Sequence, residues 1–153
     1  MTITGILRAE HAVFHNLFDY IERIAPTLRT VAEIKSLARL TENLLAAHSH
    51  TEDELFIEPL EHCFEQVGQR ETYHDEHAEI ERALTALQKA RDAKIARKQL
   101  LAVVLAARKH FDKEERIVFP MAERILKART LAELGQQWMI RREQTLKIIV
   151  PLD

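Results

Sequence analysis

Apolar residues recur every three or four positions along nearly the whole chain, the spacing of amphipathic helices. A first helix is predicted over roughly residues 4–25, with Leu7, Phe14, Phe18 and Ile21 on its inner face and Pro26 closing it. Thr30-Val-Ala-Glu33 reads as a capping box that opens a second helix. Its stripe is Ile34, Leu37, Leu40, Leu44 and Leu45. It continues through His48 to a kink or stop at about Pro59, or on to Glu65, and Gly68 marks the turn that follows. A third helix spans about 70–91, with Ile80, Leu84 and Leu87 inward. A fourth spans about 94–127, carrying Leu100, Leu101, Val104 and Phe111, and Pro120 should bend it or break it in two. Thr130-Leu-Ala-Glu133 reads as a second capping box, opening a fifth helix to about Ile149 with Leu131, Leu134, Trp138 and Ile148 on one face.

Short connections between long helices favour antiparallel neighbours. The expected fold is all-α: an antiparallel up-down-up-down four-helix bundle over residues 1–128, with an additional C-terminal helix over 129–153. That last helix either covers the bundle or forms a homodimer contact.

Composition narrows this picture. A chain of 153 residues is the size of one domain, and 3 Gly and 4 Pro leave little material for the turns of an all-β fold. A net charge of −2 offers no broad basic surface for nucleic acid. The opening MTITGILRAEH lacks a basic region followed by a long apolar run, so no signal peptide is expected. No apolar stretch reaches the roughly 18 residues needed to span a membrane. The single Cys63 rules out an internal disulfide and fits a reducing cytoplasm.

The 8 His are grouped: 11 and 15; 48, 50 and 62; 74 and 77; and 110. They belong to an internal echo. Glu10-His11-Ala12 and Glu76-His77-Ala78 are each followed by His-x-x-x-Glu, as His48 to Glu52 and His110 to Glu114. Phe56 and Pro59 close one half, Phe119 and Pro120 the other. Residues i and i+4 lie about 6 Å apart on one helical face, so such a His and Glu can reach one metal, or the Glu can bridge to a second.

The face decides the meaning. His11 lies between Leu7 and Phe14. His48 and Glu52 continue the line of Leu37, Thr41 and Leu44, with Leu55 beyond. His77 precedes Ile80 and Leu84, and His110 and Glu114 fall between Val103, Ala107 and Val118. A lone His on an apolar face is ordinarily a hydrogen-bonded core residue, and one His-x-x-x-Glu is common by chance. Polar groups interrupting four inner faces in matched register are not. Buried carboxylates are costly unless paired or coordinated, so two of them among several imidazoles point to a cation. Imidazole with carboxylate suits Fe, Mn or Zn and disfavours Cu(I) and iron–sulfur clusters.

The segments EHAVFHNLF, HSHTEDELFIEPL, HDEHAEIERAL and HFDKEERIVFP resemble the hemerythrin family, specifically the bacterial hemerythrin-like HHE cation-binding domains, over about residues 5–125. The resemblance implies a four-helix bundle with a non-haem di-iron centre bridged by two carboxylates and an oxo or hydroxo group. By position, His11 and His48 would hold one iron, His77 and His110 with a further ligand from the third helix would hold the other, and Glu52 and Glu114 would bridge. Hemerythrins place two histidines four residues apart on the third helix. Here position 73 is Tyr and the extra histidine is His74, three before His77 and on roughly the same face. The last bridging carboxylate of respiratory hemerythrins follows its His by five residues, which would be Glu115, whereas Glu114 matches the His-x-x-x-Glu form. His15, and Glu81 opposite it in the repeat, either complete coordination or sit at the stripe's edge. His50 should face solvent, Glu58 and His62 lie too far along the axis, and Cys63 and Tyr73 read as packing.

The metal set read from the sequence is therefore His11, His48, Glu52, His74, His77, His110 and Glu114, with two Fe ions as cofactor and Zn or Mn as alternatives. The function implied is binding of O2 or a related diatomic such as NO, for storage, sensing or iron and redox-stress handling. A ferritin-like oxidase or peroxidase is the enzymatic alternative, but it needs Glu-x-x-His on two helices and only Glu71-Thr-Tyr-His74 supplies one. A metal-dependent regulatory module is the third reading.

Overall fold

The computed structural model describes the backbone of residues 1–60 and 70–149 and the side chains of residues 1–60 and 75–144. The expectations for His62, Cys63 and Gly68, and for the side chains of Glu71, Tyr73, His74 and Ile148, fall outside the described residues. All regular structure among the described residues is helical, as composition and periodicity require. None of these helices is long and apolar enough to cross a membrane.

Helix α1 runs Ile3–Ile24, capped by the Thr2 hydroxyl, which accepts from the Gly5 N–H at 3.3 Å. It ends in a tight turn at Ala25–Thr27, where Pro26 removes a donor. Helix α2 runs Val31–Glu52 and has the expected capping box. Thr30 Oγ1 accepts from the Glu33 N–H at 3.2 Å, and the Glu33 carboxylate accepts from the Thr30 N–H at 2.8 Å.

The buried line of α2 is Ile34, Ala38, Thr41, Leu45, His48 and Glu52, spaced by fours and threes. Leu40 and Leu44 of the expected stripe are 51% and 43% exposed. Each sits one residue before a member of the true line, about 100° around the helix, so leucine content alone pointed to the wrong face.

Helix α3 spans Arg70–Gln88, and α4 spans Ala93–Lys113, its Asp92 cap accepting from the Ile95 N–H at 2.9 Å. Of the outcomes expected at the prolines, a stop or a break does not occur. A proline at i lacks the N–H that would bond to i−4, and its ring crowds that carbonyl. Here the residue before each proline donates five residues back, Glu58 to the Asp53 carbonyl and Phe119 to the Glu114 carbonyl. Each half therefore carries one π turn, Asp53–Ile57 and Glu114–Val118, and the helix runs on beyond it. The first continues to Leu60, and the second becomes α5, Phe119–Ile125.

The last helix, α6, spans Ala128–Ile149 and begins before the expected box. Thr130 lies inside its first turn, and Glu133 accepts from Arg129 at 2.7 Å instead of capping.

Helix α3 packs on α2 and α4, α2 on α4, α1 on α4, and α6 on α1. The apolar core divides into two clusters. One holds Phe14, Phe18, Leu45, Leu84, Leu100 and Phe111; the other holds Leu7, Phe56, Val118, Phe119, Leu131 and Trp138. Along α1, α2 and α4 the polar residues singled out above lie between them or at their junction.

Through its described side chains helix α6 contributes to the second cluster, and it approaches α1 through Gly135. A Cβ there would stand 2.5 Å from the Met1 carbonyl oxygen and 3.0 Å from the Ile3 nitrogen. Gly135→Ala is therefore expected to push α6 off the start of α1 at a cost of about 1–3 kcal/mol. Thermal denaturation would read the loss, and unchanged stability would show that the helices separate freely.

Candidate metal centre

The layer between the two apolar clusters is built from one histidine on each of four helices: His11 on α1, His48 on α2, His77 on α3 and His110 on α4. Glu52 closes α2 and Glu114 opens the second π turn. Five of these six side chains are buried, and His77 is half-buried. Their ring nitrogens converge. Nε2 of His11 lies 3.3 Å from Nε2 of His48, and Nε2 of His77 lies 2.6 Å from Nε2 of His110.

The two carboxylates join these pairs. Glu52 Oε2 is 3.6 Å from His48 Nε2 and 3.8 Å from His77 Nε2. Glu114 is 3.4 Å from His11 Nε2 through one oxygen and 3.0 Å from His110 Nε2 through the other. Each carboxylate thus touches one imidazole of each pair. Atoms about 2.0–2.2 Å from a shared ion lie roughly 3 to 3.5 Å apart at octahedral or tetrahedral angles, so this is metal-ligand spacing.

Every one of the four imidazoles is held from behind. Glu115 meets His11 Nδ1 at 3.0 Å, Glu10 meets His48 Nδ1 at 2.8 Å, Asp53 meets His77 Nδ1 at 3.2 Å, and Glu76 meets His110 Nδ1 at 2.8 Å. The order is cyclic: α1 is served from the turn after α4, α2 from α1, α3 from the turn after α2, and α4 from α3. A carboxylate on Nδ1 fixes the proton there, leaving the Nε2 lone pair facing the centre and raising its basicity. The π turns contribute. Their wider winding advances each residue by less than an α-helical step, which lets consecutive carboxylates, Glu52–Asp53 and Glu114–Glu115, both face the helix interface.

The electrostatics suit a cation. Both oxygens of Glu52 and of Glu114 are buried without a hydrogen-bond partner. Burial, then the neighbouring Glu114, pushes Glu52 well above the carboxylate range, and burial raises Glu114 to about 8. Burial, with the other imidazoles nearby, lowers His11 to about 2; burial also lowers His48. Neutral imidazoles with their protons on Nδ1 would face each other lone pair to lone pair. A cation between them satisfies the lone pairs and the orphaned carboxylate oxygens together. Two sets of donors meet this requirement, His11 with His48 and Glu52, and His77 with His110, Glu52 and Glu114.

A model of the hemerythrin HHE cation-binding domain matches residues 2–122 and again residues 69–143. The chain belongs to this family. Comparison with curated proteins and with solved structures gives no match.

As a hemerythrin-like domain, the chain brings together six of the seven residues read as ligands from sequence; the seventh, His74, has its side chain outside the described residues. His15 is not in the cluster: its Nδ1 accepts from Arg108 at 3.0 Å, and its ring stands edge-on to Phe111. Glu81 is exposed at the rim of a cavity beside His77, and Glu115 sits behind His11. His50 faces solvent near Glu54, as expected, and Glu58 is exposed.

What went unread in the sequence of this hemerythrin-like chain is the carboxylate behind each histidine. A signal was present, since a Glu precedes His11 and His77, and an acid follows Glu52 and Glu114. Nothing in the spacing, however, shows that these acids serve histidines on neighbouring helices. Trp138 and Arg142, which bond to Glu10, gave no signal beyond an amphipathic face.

Proposed function

We propose that this domain holds two irons and binds O2 or a related diatomic such as NO. In this reading His11, His48, His74, His77 and His110 are terminal ligands and Glu52 and Glu114 bridge. Helices α1 to α4 form the antiparallel up-down-up-down bundle expected of the family. The observation that carries the reading is the placement of Glu52 and Glu114, each within reach of an imidazole from both pairs. A single-ion site needs no carboxylate so shared.

When bound, the metal supplies the electrons and open coordination that a diatomic ligand needs. The chain supplies the rest. A cavity of about 270 Å³ reaches His48, His77 and His110, walled by Leu45, Ile80, Leu84 and Phe111. It has room for a diatomic, and its largely apolar wall disfavours water. The terminal ligands are neutral imidazoles, so little negative charge accumulates, which favours reversible binding over oxidative chemistry.

The test is optical. Anaerobically purified protein is expected to contain two irons per chain. Exposure of the reduced form to O2 should produce a visible charge-transfer band that disappears on deoxygenation. Irreversible oxidation without that band, or a single zinc per chain, would sink the reading.

A further inference from the structure

We propose that the C-terminal helix is a working part of the metal centre, with Trp138 and Arg142 acting through Glu10 as positioning residues for His48. The inference rests on the reading of His48 as a ligand.

Glu10 is the junction. Its Oε1 accepts from Trp138 Nε1 at 2.9 Å and from Arg142 Nε at 3.0 Å. Its Oε2 accepts from the Arg142 guanidinium at 2.5 Å and meets His48 Nδ1 at 2.8 Å. A carboxylate held by four donors cannot rotate, so the line from Glu10 through the imidazole to Nε2 is fixed. Trp138 is fully buried, and its ring stands edge-on to the His48 ring at 5.8 Å. The indole therefore restrains the imidazole directly while its N–H restrains the carboxylate.

The other half of the internal repeat solves the same problem differently. Glu76, behind His110, takes its second partner from Lys113 of the adjoining helix α4, at 2.8 Å. The Glu10 arm instead reaches helix α6, outside the four ligand-bearing helices.

Simple docking of α6 does not explain this contact. Docking is provided by Leu131, Leu134, Gly135 and the ring of Trp138 against the second apolar cluster and the start of α1, and needs neither the indole N–H nor Arg142. Three donor bonds from α6 converge instead on the carboxylate that orients a cluster histidine. Partners of this kind typically tune metal affinity by about 10–100-fold. Coupling between two equilibria is reciprocal, so metal at His48 holds α6 in place by the same factor that α6 improves metal binding.

The experiment measures Zn(II) affinity of the full chain by competition with a chromophoric chelator. Trp138→Phe keeps the ring and removes the N–H, and Arg142→Met keeps the stem and removes the charge. Together they are expected to weaken Zn(II) binding about 10-fold. Arg129→Met, on the same helix but paired with Glu133, should bind as the wild type does. The decisive arm is the Glu10→Gln background. There the Trp138 and Arg142 substitutions should cost nothing further, because they act through Glu10 alone.

A double variant that binds like the wild type, or one that loses the same 10-fold in the Glu10→Gln background, overturns the inference. If the double variant does not fold, Arg142→Met alone carries the same comparison. Wild-type chain that takes up no Zn(II) overturns the metal centre itself. Wild-type chain that binds while its variants match it overturns only the role of α6. The single tryptophan of the chain gives a second readout, since Co(II) at the His48 site should quench Trp138 emission in step with occupancy. Emission unchanged at saturation also counts against the proposal.

Discussion

Glu52→Gln is expected to stabilise the metal-free protein at pH 8 while reducing its metal content from two ions per chain to at most one. The two effects have opposite signs for one reason. Both oxygens of Glu52 are buried and lack a hydrogen-bond partner, and the side chain lies beside an equally buried Glu114. Without metal, folding must either strip the charge from this carboxyl or bury it, whereas the unfolded chain ionises it freely in water. Glutamine has nearly the same volume, opens no cavity, carries no charge, and can donate its amide N–H to Glu114. Removing the penalty should raise metal-free stability at pH 8 by about 2 kcal/mol. The same substitution removes the anion that reaches both His48 and His77. Thermal denaturation of chelator-treated protein and metal analysis of reconstituted protein read the two halves. A variant that keeps both ions shows that Glu52 does not bridge.

The second large effect is a pH dependence that metal abolishes. In the folded, metal-free chain Glu114 keeps its proton up to about pH 8, against an ordinary value of 4.5. Its stabilising contribution is present below 4.5 and lost as pH rises toward 8. His11 behaves oppositely. Its proton binds near 6.5 in the unfolded chain and only at about 2 in the folded one, so its contribution is present above 6.5 and lost as pH falls. The two slopes cancel between 4.5 and 6.5, which leaves the net loss in the window from 6.5 to 8. At about 1.4 kcal/mol per pH unit, this pair costs about 2 kcal/mol across that window. Glu52 is raised like Glu114 and adds to this loss, whereas His48, lowered like His11, contributes its slope only below 6.5.

Metal binding requires ionised carboxylates and neutral imidazoles, so affinity rises with pH over this range. Melting temperature of the metal-free protein should fall between pH 6.5 and 8, and that of the loaded protein should not. Metal-free protein that gains stability over the same interval would contradict the burial argument.

Both effects describe a site assembled at the expense of the empty fold. Four helices place imidazoles and carboxylates where apolar residues would otherwise pack, and the fold accommodates them because core clusters on either side remain apolar. The Nδ1 carboxylates keep the imidazoles aimed. Metal binding is therefore coupled to stability, and substitutions at the centre are expected to separate the two.

The sequence by itself determined the helices and the cluster of polar residues on their inner faces. His11, His48 with Glu52, His77, and His110 with Glu114 were legible because each breaks an apolar line at helical spacing, and because the pattern occurs twice. The Thr30 cap was legible because a capping box is local, closed within Thr30 to Glu33. Less local features were not. Leu40 and Leu44 were assigned inward because composition does not fix which of two adjacent faces meets a neighbour. Pro59 was expected to kink or stop the second helix or let it run to Glu65, and Pro120 to bend or break the fourth; the π turn that relieves the crowding before each and carries the helix on was not legible. Thr130 and Glu133 match a cap in sequence and do not form one, because α6 starts at Ala128.

Only the tertiary structure decided which acid serves which histidine. Glu10 stands beside His11 in the chain yet orients His48, and Glu115 stands beside Glu114 yet orients His11. It also decided that Trp138 and Arg142, more than a hundred residues along the chain, complete the Glu10 arm. The physical reason is the range of the interactions. Helical periodicity and capping arise between residues a few positions apart, so they can be read along the chain. The direction of an imidazole is set by a partner on another helix, and that pairing exists only once the helices have packed.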